Sequence, residues 1–336
     1  MTTNTSEKGL ESLIMRHLTG TTGLATELID SLAEPAAHVG GSGWIAGTAQ
    51  AYDREFAVDT KQLFAFLVDT QPLEWAKLGI GDPLDIHGMA RQKLLARLQG
   101  EISRRGVIDV LRTGIKYGAL SFDLFYGTPS LENAKAVQRH AQNRFSITRQ
   151  LYFSRETSRS VDLCAFINGL PIITFELKNS LTKQTVRDAI EQYKRDRDPR
   201  EPLFQFGRCM VHFAVDDHEV QMCTALKGKG GSAKDSWFLP FNQGWNDGAG
   251  NPPNPNGLKT DYLWKEVLTP TSLTNILENY AQIIEVKHPK TGKKKLTQIF
   301  PRFHQLGVVR EVLAEVNAAS GGRVVTEVQM RTNYSK

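Results

Sequence analysis

The stretch that decides the fold is Ser160-Val-Asp-Leu-Cys-Ala-Phe-Ile-Asn-Gly-Leu-Pro-Ile-Ile-Thr-Phe-Glu-Leu-Lys178. It contains two runs rich in β-branched and aromatic residues, which are typical of strands. Between them lies Asn168-Gly169, a dipeptide that favours a tight turn between antiparallel strands. The stretch therefore predicts a β-hairpin.

The length of the hairpin loop sets which residues face each other. A loop of three residues (168–170) places Ile167 against Pro171 and, further along, Asp162 against Glu176. A loop of two residues would shift this pairing by one residue, so both registers stay open.

Charged side chains lie where a half-buried sheet prefers apolar groups. Because strand side chains alternate, Glu176 and Lys178 share one face, and Asp162 lies opposite the apolar set of its own strand. Burying such charges costs several kcal/mol each unless they are paired or bind a metal. One alternative is a surface salt bridge between Glu176 and Lys178 on an edge strand.

The pattern of two acids and a lysine on a hairpin is typical of a metal-dependent nuclease. Carboxylates such as Asp162 and Glu176 can hold Mg²⁺, which takes oxygen ligands, lowers the pKa of a bound water and stabilises charge on a phosphodiester. Lys178 can orient that water and stabilise the transition state. We therefore predict Asp162 and Glu176 as metal ligands, with Lys178 as a third catalytic residue.

The segment from Thr182 to Arg197 predicts an amphipathic helix after the hairpin. Gln192 projects beside its apolar stripe and could orient a water or contact a DNA phosphate; the alternative is a solvated glutamine. Basic residues on this helix and before the Asp162 strand are expected to follow a phosphate backbone without reading sequence: Arg155, Arg159, Lys183, Arg187, Lys194, Arg195 and Arg197.

Composition excludes several classes of protein. The 336 residues are 40% hydrophobic and 23% charged, which excludes a wholly disordered chain and is typical of about two domains. No apolar run reaches the roughly 18 residues of a membrane span, and no secretory pattern opens the chain.

Three cysteines with no zinc-site spacing predict buried reduced thiols at Cys164 and Cys209, and His212 predicts a satisfied core histidine. We expect a soluble, cytoplasmic protein, and the net charge of +5 is compatible with a polyanionic partner.

The order of elements predicts an α/β fold. Between about residues 131 and 227 the order is helix, three strands, helix and two strands, which indicates a mixed sheet with helices packed on it. Helical signals dominate before this region, residues 1–20 are expected to be flexible, and residues 228–257 predict a long loop. Helical spacing resumes over 272–286, and we predict a domain boundary at about 258–268.

Taken together, the chain resembles the N-terminal part of the restriction (motor) subunit of Type I restriction–modification enzymes. The resemblance covers about residues 45–315 and is carried by several blocks: 160–171, Phe175-Glu-Leu-Lys-Asn179, Ala189-Ile-Glu-Gln-Tyr193, Met210-Val-His-Phe-Ala-Val-Asp216, Phe238-Leu-Pro-Phe-Asn-Gln-Gly244, Thr260-Asp-Tyr-Leu-Trp264 and Phe300-Pro-Arg-Phe-His-Gln305.

The resemblance implies a PD-(D/E)xK nuclease core with Asp162, Glu176 and Lys178 at the catalytic positions. It assigns residues 21–260 to an endonuclease domain and residues 261–336 to the start of a RecA-like helicase domain. It further implies hydrolysis of double-stranded DNA without sequence specificity, one or two Mg²⁺ ions, and methyltransferase and specificity subunits as partners. No membrane partner is expected. ATP-driven translocation belongs to motor domains of the full-length protein.

The family also carries a Gln-x3-Tyr motif after the nuclease core. Gln192 matches its glutamine, but the tyrosine position holds Asp196. A shifted alignment uses Tyr193 and places Ala189 at the glutamine position, so the motif is incomplete either way.

Gln305 matches the family's adenine-contacting glutamine, which precedes the helicase phosphate loop. That loop is expected shortly after Gly321-Gly-Arg323, but the sequence departs from the pattern there. We therefore expect a shortened polypeptide that does not hydrolyse ATP by itself. Two other functions stay open: a DNA-docking module that does not cleave, and a nucleotide-binding fragment centred on Gln305.

Overall fold

The computed structural model describes residues 7–22, 39–81, 85–130, 132–179, 182–287 and 292–319. The segment 320–336, where the helicase phosphate loop was expected, lies outside the described residues.

Helices and strands alternate along most of the described chain. The helices are α1 (Glu7–Thr19), α2 (Thr60–Thr70), α3 (Pro72–Ala76), α4 (Met89–Thr113), α5 (Ala134–Ala141), α6 (Val186–Asp196), α7 (Pro270–Asn275) and α8 (Phe303–Ala319). The strands are β1 (Val39–Gly40), β2 (Trp44–Ala46), β3 (Tyr52–Asp53), β4 (Val58–Asp59), β5 (Ile115–Tyr117), β6 (Leu120–Phe122), β7 (Phe145–Tyr152), β8 (Ser160–Ile167), β9 (Leu170–Leu177), β10 (Val211–Val215), β11 (Val220–Cys223), β12 (Leu239–Pro240), β13 (Gln282–Lys287) and β14 (Lys294–Ile299).

An eight-stranded mixed sheet forms the centre of the fold, in the order β1-β2-β7-β8-β9-β10-β11-β12. The long strands β7, β8 and β9 are consecutive and antiparallel, whereas β10 pairs parallel to β9. A parallel pair needs a crossover connection, and α6 lies in it. The predicted order of helix, three strands, helix and two strands is confirmed, and so is the mixed α/β class.

The hairpin turn between β8 and β9 is shorter than a three-residue loop. Ile167 pairs with Leu170, so the loop is Asn168-Gly169, and the prediction that Ile167 faces Pro171 is wrong. Both loop residues have positive φ, 49° and 81°, the conformation of a type I′ turn. This turn matches the twist of the flanking strands, which explains why the shorter loop forms.

A register shift in the hairpin restores the pairing expected at the charged residues. The shift lies between Ala165 and Phe166, and beyond it Leu163 pairs with Phe175. Leu163↔Phe175 is the last pair of the ladder, and the same register continued by one residue would place Asp162 opposite Glu176, as predicted from the three-residue loop. The irregularity therefore offsets the error in loop length.

The helix α6 covers one face of the hairpin. It begins after Thr185, whose side chain forms a capping box with Asp188. Its buried residues Val186, Ala189 and Tyr193 join the smaller of two hydrophobic clusters in the described part of the chain. This helix therefore packs on the strand face that carries Asp162 and Glu176.

The N-terminal helix α1 packs in the main core. Leu10, Ile14, Met15 and Leu18 are buried there beside the sheet. The prediction that residues 1–20 are flexible is therefore wrong for residues 7–19, because their apolar side chains have a helical period and a surface to bury against.

Residues after the predicted boundary at 258–268 pack in the same main core. Trp264 and Leu273 belong to the hydrophobic cluster that contains Trp44, and the Trp44 indole N–H donates to the Leu268 carbonyl at 2.8 Å. The boundary thus falls inside one continuous core. Residues 282–287 form strand β13, so the helical pattern predicted over 272–286 ends early.

Two further expectations can be compared with the structure. Cys164, Cys209 and Cys223 are buried free thiols, as predicted for the first two. Within the described ranges, no helix combines the length and apolar character that a membrane span requires.

Candidate active site

Asp162 and Glu176 lie on the face of the hairpin beneath α6. Cys164, two residues from Asp162, belongs to the cluster that α6 joins. Thr174, two residues from Glu176, bonds the Tyr193 hydroxyl of α6 at 2.9 Å. Since strand side chains alternate, both acids face this helix.

The strand that carries Glu176 lies inside the sheet and not at its edge. β9 is flanked by β8 and β10, and Glu176 and Lys178 are 0% and 6% exposed. An exposed salt bridge on an edge strand is therefore not what these two residues form.

The carboxylate of Asp162 replaces a main-chain acceptor at the end of the hairpin. Its Oδ2 accepts the N–H of Leu177 at 2.7 Å. The next amide, that of Lys178, donates instead to Val215 of β10. Asp162 is therefore fixed to the strand that carries Glu176, and the two acids cannot separate without breaking a buried hydrogen bond.

Glu176 forms a buried ion pair with Arg197 at the end of α6. Both Nε and Nη2 of Arg197 contact the same oxygen, Oε1, at 2.7 and 2.6 Å. The other oxygen, Oε2, is buried and accepts no hydrogen bond from the described residues. Burial, and next the charge of Asp162, raise the pKa of Glu176 well above its ordinary value, while Arg197 and Lys178 oppose that shift.

The position of Arg197 corrects one sequence prediction. Arg197 was expected to follow a phosphate backbone with the other basic residues of the helix. Its side chain is 3% exposed and points inward to Glu176. The C-terminal residue of an amphipathic helix can point either way, and the buried carboxylate decides its direction here.

A polar network connects Asp162 to α1. Gln150, which lies beside Asp162 on β7, places Nε2 3.4 Å from Asp162 Oδ1 and in contact with Glu11, while its Oε1 accepts from Ser160. Glu11 is 1% exposed and pairs with Arg149 at 2.7 Å. The backbone of Gln150 has φ 47°, an uncommon conformation for a residue with a side chain.

Sequence reasoning missed Glu11 and Gln150. Glu11 lies within residues 1–20, for which the sequence predicts a flexible segment. The helical spacing of Leu10, Ile14 and Leu18 was the available signal, because it predicts a buried helix on which Glu11 lies beside the apolar stripe.

The residues of the incomplete Gln-x3-Tyr motif take different positions. Gln192 is half-buried on α6, and its side chain forms no hydrogen bond with the described residues. The Tyr193 hydroxyl is buried against Thr174 and the Phe213 carbonyl. Asp196 Oδ1 lies 3.9 Å from Nη2 of Arg159. Gln192 is thus the motif residue whose polar group is available, and its catalytic role stays a prediction.

The predicted DNA-binding residues lie on the surface. Arg155, Lys183 and Arg195 are exposed, and Arg159 donates to the Asp196 carbonyl at the end of α6. Lys194 is partly exposed and lies 3.6 Å from Glu191. All five can reach solvent, as phosphate contacts require.

Gln305 does not belong to the cluster around Asp162 and Glu176. It is exposed near the start of α8, and its Oε1 accepts the N–H of Arg302 at 2.9 Å. The side chain therefore caps its own helix, and a contact with a nucleotide stays a prediction.

A second acidic group lies at the end of β10. Ligand atoms of Asp216, Asp217 and His218 lie within 4.8 Å of one another. Asp216 already accepts from the backbone amides of Val186, His218 and Glu219, so its carboxylate organises the turn.

His212, further back on β10, is buried, and its Nδ1 lies 2.7 Å from the Thr174 hydroxyl, which confirms a satisfied core histidine.

The residues at the hairpin fit a hard divalent cation. Mg²⁺ takes oxygen ligands from one or two carboxylates and retains several waters. Glu176 presents a buried oxygen, Oε2, that no described hydrogen-bond donor satisfies. Asp162 presents a second carboxylate across the strand pair. A buried unsatisfied carboxylate oxygen beside another acid is what a cation would compensate.

The fold and site define a mixed α/β protein with two acids and a lysine on a central hairpin. Residues 130–230 match the family model described as the N terminus of the Type I restriction enzyme R protein. The match over this segment confirms the resemblance predicted from the sequence.

One relative was found in Methanocaldococcus jannaschii, a protein named as a type I restriction enzyme MjaIXP endonuclease subunit. The two chains are 26% identical over 140 residues, which is 42% of this chain. The aligned region spans only 12% of that relative's length.

Proposed function

We propose that this chain carries the Mg²⁺-dependent DNA endonuclease of a Type I restriction R subunit, with a core of the PD-(D/E)xK kind. The observation that carries the proposal is the buried carboxylate pair, Asp162 and Glu176, with the buried Lys178 two residues after Glu176. The family match over residues 130–230 includes all three residues. The substrate is double-stranded DNA, cut without sequence specificity.

In this mechanism Asp162 and Glu176 hold the cation, one or two ions in number. When bound, the cation activates a water and stabilises negative charge on the phosphodiester. Lys178 orients the attacking water and stabilises the pentacovalent phosphate through its positive charge. Gln192 supplies a further polar group from α6, the helix that covers the site.

Surface charge would place the duplex over this site. Phosphate contacts by Arg155, Arg159, Lys183, Lys194 and Arg195 do not read bases, so binding would depend strongly on salt. Within the parent complex, site recognition would come from the methyltransferase and specificity subunits, in the cytoplasm.

We further propose that residues 261–336 lead into the motor domain, and that the part of them packed in the main core completes the endonuclease domain of residues 21–260. Gln305 would contact adenine only in the full-length protein, where ATP drives translocation. The supporting observation is the block 300–305, which resembles the segment before a helicase phosphate loop.

Cleavage of plasmid DNA by the assembled enzyme tests the function. Glu176→Ala and Lys178→Ala are expected to abolish cleavage while the protein folds. Glu285→Ala and Lys287→Ala are matched controls, because Glu285-Val-Lys287 has the same spacing on β13 but is exposed. Cleavage by either active-site variant at the wild-type rate would reject the assignment.

The two other functions make different predictions. A DNA-docking module would bind DNA but show no cleavage and no response to Mn²⁺. A nucleotide-binding fragment would lose ATP affinity after Gln305→Ala.

A further inference from the structure

We propose that Arg197 is a positioning residue for the metal ligand Glu176. It holds one carboxylate oxygen and thereby turns the other oxygen toward the cation. This inference rests on the proposed function, because it assumes that Glu176 is a metal ligand.

The geometry of the ion pair is one-sided. Two nitrogens of Arg197, Nε and Nη2, both contact Oε1 of Glu176, at 2.7 and 2.6 Å. An arginine–carboxylate pair is frequently bidentate, with one nitrogen on each oxygen. Here Oε2 of Glu176 is left without a hydrogen bond from the described residues. The pair therefore fixes the carboxylate plane and keeps one oxygen available.

The guanidinium is itself held in place on several sides. Nη2 of Arg197 also donates to the Ser160 carbonyl at 2.8 Å, at the start of β8. Its Cζ lies 5.3 Å from the centre of the Phe153 ring. The side chain is 3% exposed. These contacts join α6, β7 and β8 to the single oxygen of Glu176, so Arg197 has little freedom to follow the carboxylate elsewhere.

A substitution at position 197 can change the shape of the side chain without changing its positive charge. Arg197 balances the Glu176 carboxylate with one positive charge. A lysine at position 197 keeps that balance, but its single ammonium cannot reproduce a planar fork held on Ser160 and Phe153. Arg197→Lys therefore changes orientation at constant charge. Arg91→Lys is the matched control, because Arg91 is also 3% exposed and pairs with Asp53 at 3.2 Å, not with Glu176.

Mn²⁺ binding to the 336-residue chain, measured by isothermal titration calorimetry, is the test. Arg197→Lys is expected to weaken Mn²⁺ binding by about 10-fold, the lower end of the loss typical for residues that orient metal ligands. Arg91→Lys is expected to bind Mn²⁺ as the wild type does. Affinity for DNA in EDTA should be equal in the wild type and Arg197→Lys, because Arg197 is buried.

Wild-type Mn²⁺ affinity in folded Arg197→Lys would overturn the positioning role, while loss of cleavage in Glu176→Ala would leave the proposed function standing. Absence of Mn²⁺ binding in the wild type would overturn both. If Arg197→Lys does not fold, Phe153→Leu removes the ring beside the guanidinium and keeps every donor. That variant loses a cation–π contact and is expected to bind Mn²⁺ about 3-fold more weakly, and unchanged affinity would overturn the role.

Discussion

The Asp162 carboxylate accepts the backbone N–H of Leu177 at 2.7 Å, so a side chain of one strand takes the place of a main-chain carbonyl facing the next. The bond fixes Asp162 beside Glu176, the residue before Leu177. One oxygen of this acid thus has a structural role, and the acid as a whole is proposed to have a chemical one. Substitutions can separate the two roles.

Asp162→Asn should retain the fold and lose metal binding. The amide oxygen of asparagine still accepts from Leu177, but the negative charge is gone. Asp162→Ala removes the acceptor and leaves a buried N–H unpaired, which costs about 1–3 kcal/mol. Urea denaturation should therefore rank wild type and Asn close together and Ala clearly below. Equal stability of the Ala and Asn variants would contradict the structural role of the bond.

Much of the hairpin could be predicted from its sequence, because Asn168-Gly169 and the flanking β-rich runs encode it locally. The register at Asp162 depended on an irregularity at Ala165 and Phe166, and no local rule predicts that irregularity. The predicted register is observed from Ala165 to Leu163, although the three-residue loop from which it was derived does not form.

The partners of the acids could not be predicted from local pattern. Arg197 follows two other basic residues at the end of an amphipathic helix, and only the tertiary position of Glu176 turns it inward. Glu11 lies more than a hundred residues from Gln150 in the chain, so their contact depends on how α1 packs on the sheet. The charged pattern on the hairpin can be predicted from the sequence, whereas the position of its counter-charge, Arg197, depends on tertiary packing.

The turn glycine at 169 should tolerate no side chain. Its φ is 81°, and an added Cβ would lie 2.4 Å from the Asp59 carbonyl and 2.6 Å from the Leu63 nitrogen. Gly169→Ala is expected to lower the free energy of unfolding by about 2 kcal/mol or more, through backbone strain and collision together. Gly118→Ala is the control, because Gly118 also has positive φ but an added Cβ there meets nothing within 4 Å. Similar losses in the two variants would contradict the collision with α2.

Stability should depend on pH through His212. Burial lowers the pKa of His212 from 6.5 to about 3. Between these values the unfolded chain binds a proton that the folded chain does not, so the free energy of unfolding falls as the pH falls from 6.5 toward 3. The slope is at most about 1.4 kcal/mol per pH unit.

His212→Asn isolates this contribution. The advantage of wild type over the variant should shrink by about 2 kcal/mol between pH 7 and pH 5 in urea denaturation. The comparison removes the opposite effect of Asp59, whose pKa burial raises to about 6, because Asp59 is present in both proteins. A difference that is constant with pH would contradict the buried neutral imidazole.

A chain cut at residue 260 should not fold cooperatively. It would lack Trp264 and Leu273 from the main core and the Leu268 carbonyl that accepts from Trp44. The core residues that pack against these side chains would then be exposed to water. We therefore expect broad, non-cooperative thermal unfolding, measured by circular dichroism. A sharp transition like that of the full chain would show that the residues before 260 form an independent domain.

The central claim is that Asp162 and Glu176 bind one divalent cation together, and anomalous diffraction from crystals soaked in Mn²⁺ tests it most directly. The account predicts a strong anomalous peak at coordination distance from both carboxylates, absent in Glu176→Gln. No peak there at millimolar Mn²⁺, or a peak only beside Asp216 and His218, would contradict it.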